Sequence, residues 1–273
     1  MENGTITYTQ LLREDLGIFR VTPDGEVPDF KAGQFLTLGL PLDSKIVNRA
    51  YSIASSPQNK NFFEFVIRWV RRPLPGRLTS LLFNAKEGDK ISWAKPAGNL
   101  TINDTLANGE KDTRRIVCIG GGTGLAPFVS FAQHLHDTND KREIVVLHGA
   151  SYVDELSYKQ LLTDLENESL DRGKDKWNFK YRAAISRPQE WFNRSWAGQV
   201  GRVETFLRPR GTDMSPLEEL IGDKITQENT IFYVCGWQGT IDGVMDFLKP
   251  KGFITEHDKR EDGSFEVKYE SYG

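Results

Sequence analysis

The chain is expected to fold as two units in series. Residues 1–110 read as an N-terminal antiparallel Greek-key β-barrel and residues 111–273 as a C-terminal α/β unit on a parallel sheet. Three observations predict this. The first part is made of short alternating runs broken by turn residues. The second part alternates apolar strand-like runs with helical ones. Near the start of the second part stands the pivot Val117-Cys118-Ile119-Gly120-Gly121-Gly122-Thr123-Gly124-Leu125-Ala126-Pro127, in which an apolar run enters, glycines turn the chain and a proline leads into an apolar-periodic segment. That order reads as strand, phosphate-cradling loop and helix.

In the first part, Thr5–Tyr8, Leu16–Val21, Gln34–Leu38 and Phe62–Ile67 read as strands. Thr22-Pro23-Asp24-Gly25, Pro28-Asp29, Pro41-Leu42-Asp43 and Ser56-Pro57-Gln58-Asn59 supply the turns. Leu78–Phe83 suits a short helix, and Gly88-Asp89-Lys90 turns into a strand at Ile91–Trp93. The polar stretch 103–112 lacks apolar periodicity and reads as the linker. Beyond it, strands are expected at Arg115–Ile119, Ile144–His148, Phe179–Ile185 and Ile231–Cys235. Helices are expected at Ala126–His136, Asp154–Leu165, Val203–Leu207 and Thr240–Leu248, with a last strand alternating through Phe265, Val267 and Tyr269.

Bulk properties exclude several classes. A net charge of −3 gives no global polycation field for nucleic acid. The two cysteines, both inside apolar runs, give no reason to expect a disulfide framework, and they cannot build a four-cysteine zinc site or iron–sulfur cluster. His134 and His136 stand two apart, the wrong spacing for one helix face, so no metal site is expected. Met1–Gln10 has no secretory pattern and no apolar run approaches spanning length, which makes a reducing cytoplasm the expected compartment.

In a parallel sheet, ligands bind beyond the C-terminal strand ends, so the residues after each strand carry the chemistry. The first strand is followed by Gly122-Thr123-Gly124-Leu125-Ala126-Pro127, a G-x-G-x-x-P rather than the common dinucleotide fingerprint. Ala150 and Ser151 follow the second strand, with no acid before Asp154. Ser186 and Arg187 follow the third, with Arg194 and Arg202 downstream. Arginines without an acid at the second strand point to a 2′-phosphate, hence NADP, although they also suit an ordinary surface. Cys235-Gly236-Trp237 follows the fourth strand, and the thiol has no basic neighbour in sequence that would make it a nucleophile. In the first part, Arg49-Ala50-Tyr51-Ser52 offers a phosphate-binding fork and a flat ring on one strand face, and Gly76-Arg77-Leu78-Thr79-Ser80 a glycine and hydroxyls at a helix start. Each also suits a plain strand or a plain capped helix. Arg68, Arg71, Arg72 and Arg77 crowd a short stretch that could dock an acidic partner.

Taken in order, the R-x-Y-S at Arg49–Ser52, the G-x-L-T/S run at Gly76–Ser80, the G-x-G-x-x-P at Gly122–Pro127 and the C-G at Cys235-Gly236 resemble the ferredoxin–NADP⁺ reductase family. His148–Tyr158 is similar to its bacterial subclass. The resemblance implies an FAD-binding barrel, an NADP(H)-binding α/β domain and the fold named after these reductases. It implies that Arg49 holds the FAD pyrophosphate, that Ala50 also lies in the FAD site, that Tyr51 packs on the isoalloxazine, and that Ser52 bonds near flavin N5. It also implies that Val66, Ile67, Arg68, Arg77, Leu78 and Thr79 complete the flavin site. Thr123 would serve both cofactors; Ser186, Arg187 and Arg202 would hold the adenosine 2′-phosphate, with Ala150, Ser151, Gly236 and Trp237 also in the NADP site; Cys235 would stand beside the nicotinamide. Tyr272, with Tyr269 as second choice, would cover the other flavin face. Tyr51, Ser52 and Cys235 are the residues implied in catalysis. Ser151 stands where many bacterial members have arginine, which weakens the implied preference for NADP. The implied reaction is hydride exchange between nicotinamide and flavin, coupled to one-electron exchange between a monomer and ferredoxin or flavodoxin. Alternatives are a reductase component feeding an oxygenase, or a flavin-carrying subunit of a larger complex.

Overall fold

In the computed structural model, which describes residues 1–71, 75–211 and 213–272, β1 (Glu2–Arg13) and β2 (Leu16–Pro23) form an antiparallel hairpin. Next come β3 (Phe35–Leu42) and β4 (Lys45–Ser52), then β5 (Phe63–Arg68), helix α1 (Arg77–Asn84) and β6 (Lys90–Trp93). The strands form one antiparallel sheet in the order β4-β3-β6-β1-β2-β5. Its outer strands meet at a corner where Ala54 N–H donates to Glu64 C=O at 2.7 Å. Alternation turns Leu36, Leu38 and Phe65 inward with Ile6, Val21 and Trp93 to make the core, and Leu78 and Leu82 of α1 join it. The turn expected at Pro41–Asp43 falls later. Pro41 and Leu42 still pair with Ile46 and Lys45, and Asp43 takes the positive φ of 55° that reverses the chain.

The described chain forms two compact units: Met1–Thr101 with Ala126–Asp137, and Ile102–Leu125 with Thr138–Gly273. Helix α2 (Ala126–Asp137) thus belongs with the first unit, although the sequence pattern places it in the second part. Ser130 Oγ donates to Ser55 C=O at 2.7 Å and Gln133 Nε2 to Ala54 C=O at 2.9 Å. A Cβ on Gly33 would lie 2.5 Å from the Phe131 ring, so that glycine admits the helix.

The second unit carries β7 (Arg115–Gly121), β8 (Ile144–Ala150), α3 (Lys159–Arg172), β9 (Phe179–Ile185), β10 (Gln199–Val200), α4 (Pro216–Ile221), β11 (Thr230–Gly236), α5 (Gln238–Leu248) and β12 (Val267–Ser271). The sheet is parallel, in the order β10-β9-β8-β7-β11-β12. Successive strands run outward from β7 to one side, and β11 and β12 to the other. The order therefore switches direction where β7 meets β11. Residues 103–112, expected to be a bare linker, are pinned within this unit. Arg142 Nη1 donates to Asn103 C=O at 2.7 Å, Asn103 N–H to Tyr233 Oη at 2.8 Å, and the fully buried Asp112 pairs with Arg114 at 2.7 Å. Helix α3 starts at Lys159 instead of Asp154, because Val153–Glu155 forms a separate tight turn and Tyr158 adopts a left-handed φ of 57°. Val203–Leu207 is likewise a 3₁₀ turn.

Candidate functional site

On β4, Arg49 and Tyr51 pair with Leu38 and Leu36 of β3. Arg49 and Ala50 are exposed, while Tyr51 and Ser52 are half-buried. Arg49 Nη1 donates to Asn48 C=O at 2.8 Å, which leaves most of its donors to solvent. The Tyr51 ring packs on the core, and its hydroxyl oxygen is buried with no hydrogen-bond partner among the described residues. Burial pushes this phenol up to about 12 against the opposing pull of Arg49, so the hydroxyl keeps its proton. A buried hydroxyl is normally bonded, so this one is a donor awaiting an acceptor.

Helix α1 packs on β3 and β4 and so brings Arg77, Leu78 and Thr79 to the same strand. Leu78 is committed to the core, Arg77 is exposed, and Thr79 Oγ1 donates to Gly76 C=O at 3.1 Å. Val66 and Ile67 are buried in β5. The basic stretch is largely offset: Arg68 pairs with Asp15 at 3.0 Å, and Arg71 pairs with Glu14 at 3.1 Å and lies over Trp69. Arg72 lies outside the described residues. A flat half-buried ring with an unpaired hydroxyl, an open arginine fork and a glycine-led helix start fit a ring system joined to a pyrophosphate.

In the second unit, the loop after β7 reaches the switch point. Gly122 has a φ of +58° with open space around it. A Cβ on Gly124 would lie 2.3 Å from the Cys235 carbonyl oxygen, so only glycine lets the loop close onto the end of β11. Tyr272 docks there. Its N–H donates to Gly236 C=O at 3.2 Å and its hydroxyl to Gly121 C=O at 2.6 Å, and Thr123 Oγ1 donates to that hydroxyl at 3.3 Å. Trp237 is 58% exposed, with its ring centroid 5.9 Å from that of Tyr272. Tyr269 instead packs against the core and His257. Thr123, Gly236, Trp237 and Tyr272 therefore converge at the position where such sheets bind ligands. Cys235 is fully buried and its thiol is pushed well up by burial, with Glu270 adding to the effect, so it stays protonated.

Ala150, Ser151, Ser186, Arg187 and Arg202 gather at the ends of β8 and β9. Ser186 N–H donates to Ala150 C=O at 2.9 Å, and Gly201 N–H to Ile185 C=O at 2.9 Å. Arg187 Nη1 donates to Tyr152 Oη at 2.8 Å. Sequence reasoning missed three residues here. Asn193 is buried; its Nδ2 donates to Ser151 C=O at 2.9 Å and Arg187 C=O at 2.7 Å, and its Oδ1 accepts from Val153 N–H at 2.9 Å. Glu155 Oε2 accepts from Ser151 N–H at 3.1 Å, and Glu204 Oε1 pairs with Arg202 Nε at 3.1 Å. Glu204, two residues from Arg202, was visible in sequence; the returns of Asn193 and Glu155 depend on loop geometry. Among the described residues no group of side chains could hold a metal ion, and no helix is long and apolar enough to cross a membrane.

Comparison with known proteins identifies two domains along the chain. The oxidoreductase FAD-binding domain model matches residues 3–102, and the oxidoreductase NAD-binding domain model matches residues 118–246. A subunit of the Na(+)-translocating NADH-quinone reductase of Marinomonas sp. (strain MWYL1) is 30% identical over 250 residues, covering 78% of this chain and 55% of that protein. The ferredoxin–NADP reductase of Azotobacter vinelandii is 38% identical over 136 residues, covering 50% of this chain and 49% of that protein. The chain thus spans about half the length of these relatives. In fold it is similar to a ferredoxin NADP+ reductase from Neisseria gonorrhoeae with bound FAD and NADP, at a TM-score of 0.77 and 21% identity over 98% of this chain and 97% of that one. An FAD-binding domain followed by an NAD-binding domain, on this pair of sheets, makes the chain a member of the ferredoxin–NADP⁺ reductase-like family of flavin-dependent oxidoreductases.

Proposed function

We propose that this chain is a ferredoxin–NADP⁺ reductase: it exchanges hydride between NADP(H) and bound FAD, and single electrons with an acidic carrier of ferredoxin or flavodoxin type. The observation that carries the reading is the Arg49–Tyr51 pair on β4, with its buried unpaired hydroxyl, inside an FAD-binding domain. Bound flavin supplies the ability to accept hydride and release electrons singly. The chain's residues hold and orient. Arg49 offsets pyrophosphate charge beside Ala50; Tyr51 stacks; Ser52 donates at the ring edge; the Val66–Arg68 backbone, Arg77 and Thr79 complete the cradle behind Leu78. Thr123, Gly236, Trp237 and Tyr272 receive the nicotinamide end beside buried Cys235, and Tyr272 is the terminal aromatic proposed to cover flavin. Ser151, Ser186, Arg187 and Arg202 receive the adenosine end. No protein nucleophile takes part, in keeping with the buried, protonated Cys235.

The carrier is proposed to dock near Arg68, Arg71, Arg72 and Arg77 of a monomer in the cytoplasm. Arg68 and Arg71 already face acids, so docking relies more on exposed Arg77. A second reading is a reductase component for an oxygenase or a flavin-carrying electron-transfer subunit of a larger complex, and the latter is favoured by the 30% identity to the NADH-quinone reductase component over 55% of its length. Anaerobic mixing with NADPH or NADH, followed by flavin absorbance and then by addition of ferredoxin or flavodoxin, tests both. Rapid bleaching and carrier reduction support the first reading. Bleaching with NADH and no transfer to either carrier supports the second.

A further inference from the structure

Arg202 stands over the C-terminal edge of the second unit's sheet. It follows Gly201, whose N–H bonds the last carbonyl of β9, and it precedes Val203, whose side chain fills the space beside Gly149 at the end of β8. Its Nη2 lies 3.3 Å from where a Cβ on Gly239 would sit, which sets the guanidinium against the first turn of α5. Its Nε faces Glu204 Oε1 at 3.1 Å, with side-chain exposures of 56% for Arg202 and 7% for Glu204. Glu204 Oε2 is buried and has no hydrogen-bond partner among the described residues.

Arg202 therefore carries a fixed counter-charge on its Nε side, while its Nη groups stand beside Gly239 at the start of α5 on a side chain that is largely exposed. A carboxylate that cannot turn to water keeps this compensation in place. Arg187 differs, since its Nη1 bonds the Tyr152 hydroxyl instead of a carboxylate. A second carboxylate, Glu155, closes on Ser151 N–H at the end of β8, where an acid in such sheets takes a ribose hydroxyl.

Resting on the proposed placement of the adenosine end, we infer that Glu204 sets nucleotide specificity. By neutralising Arg202 it blunts the advantage of a 2′-phosphate, so that NADH and NADPH are both accepted and Arg187 carries most of the phosphate recognition. Glu204→Gln keeps an acceptor for Arg202 Nε and removes only the charge.

The test is calorimetric binding of 2′,5′-ADP and of 5′-AMP to the flavin-loaded protein, together with KM and kcat for NADPH and NADH. Glu204→Gln is expected to tighten 2′,5′-ADP about tenfold with 5′-AMP held within about twofold, and to lower the NADPH KM without a matching change in kcat. Arg202→Ala in the natural chain is expected to weaken 2′,5′-ADP by no more than about threefold, against about tenfold in the Glu204→Gln background. Unchanged or weaker 2′,5′-ADP binding in Glu204→Gln overturns the inference. So does a loss of about a hundredfold in Arg202→Ala alone, a result that needs no Glu204 variant to fold. If the natural chain binds neither 2′,5′-ADP nor 5′-AMP, the proposed adenosine site itself fails, and this inference with it.

Discussion

Tyr51 and His148 are the side chains whose surroundings make the sharpest demands. The buried Tyr51 hydroxyl costs stability while it lacks an acceptor. Tyr51→Phe should therefore raise the stability of the flavin-free protein by about 1 kcal/mol while weakening FAD about tenfold. Thermal melts of the flavin-free protein and FAD titration check the two signs. A loss in both would make Tyr51 a core residue only. His148 is fully buried at the end of β8, with Nδ1 3.4 Å from Tyr181 Oη, and burial lowers its pKa from 6.5 to about 4. Between those values the unfolded chain binds a proton that the folded chain refuses. Its contribution is thus complete above pH 6.5 and falls as pH drops toward 4, by roughly 3 kcal/mol. Urea melts across that window should show this slope, and His148→Gln should flatten it. Glu143 and Asp140, held below the usual carboxylate range by hydrogen bonds and nearby cations, lose their contributions only at lower pH.

At the scale of the element, the loop after β7 and helix α4 show opposite kinds of signal. The glycine cluster announces a close approach, and Gly124 has one, against the Cys235 carbonyl. Gly124→Ala should cost about 2–3 kcal/mol in chemical denaturation. An unaffected midpoint would mean that the loop has room. Helix α4 is hard to see in sequence because it is short and lacks apolar periodicity, yet Ser215-Pro216-Leu217-Glu218 is a capping box with proline at the first turn. Ser215 Oγ accepts from Glu218 N–H at 3.3 Å, and Ser215 N–H donates to Glu218 Oε2 at 2.8 Å. Ser215→Ala should destabilise by about 1–2 kcal/mol in urea melts. The long strands are legible because their apolar runs are continuous, as at Phe179–Ile185. The start of α3 is not, because Glu155 turns back to Ser151 instead of entering the helix.

At the scale of the whole molecule, sequence order and spatial grouping part company at α2. The polar stretch 103–112 reads as a boundary, yet the helix beyond it bonds Ser55 and Ala54 of the first unit. A sequence pattern shows where apolar residues recur but not which sheet they cover. Cutting at the expected boundary should therefore strand that helix. Fragment 1–110 is expected to be insoluble or to melt well below the full chain, and a fragment 1–110 with native-like cooperative unfolding would contradict the grouping. The positions of Tyr272 and Arg202 are open to sequence reading, because each follows a strand end. Their partners, the Gly121 carbonyl and the Glu204 carboxylate, emerge only from the folded loops. The central claim is that β4 and α1 of the first unit hold a flavin. Titration of the flavin-stripped chain with FAD, followed by fluorescence quenching and by thermal melting, tests it most directly. Saturation at about one FAD per chain with a rise in melting temperature is predicted. Free FAD that stays fluorescent at every ratio, with an unmoved melting temperature, would contradict it.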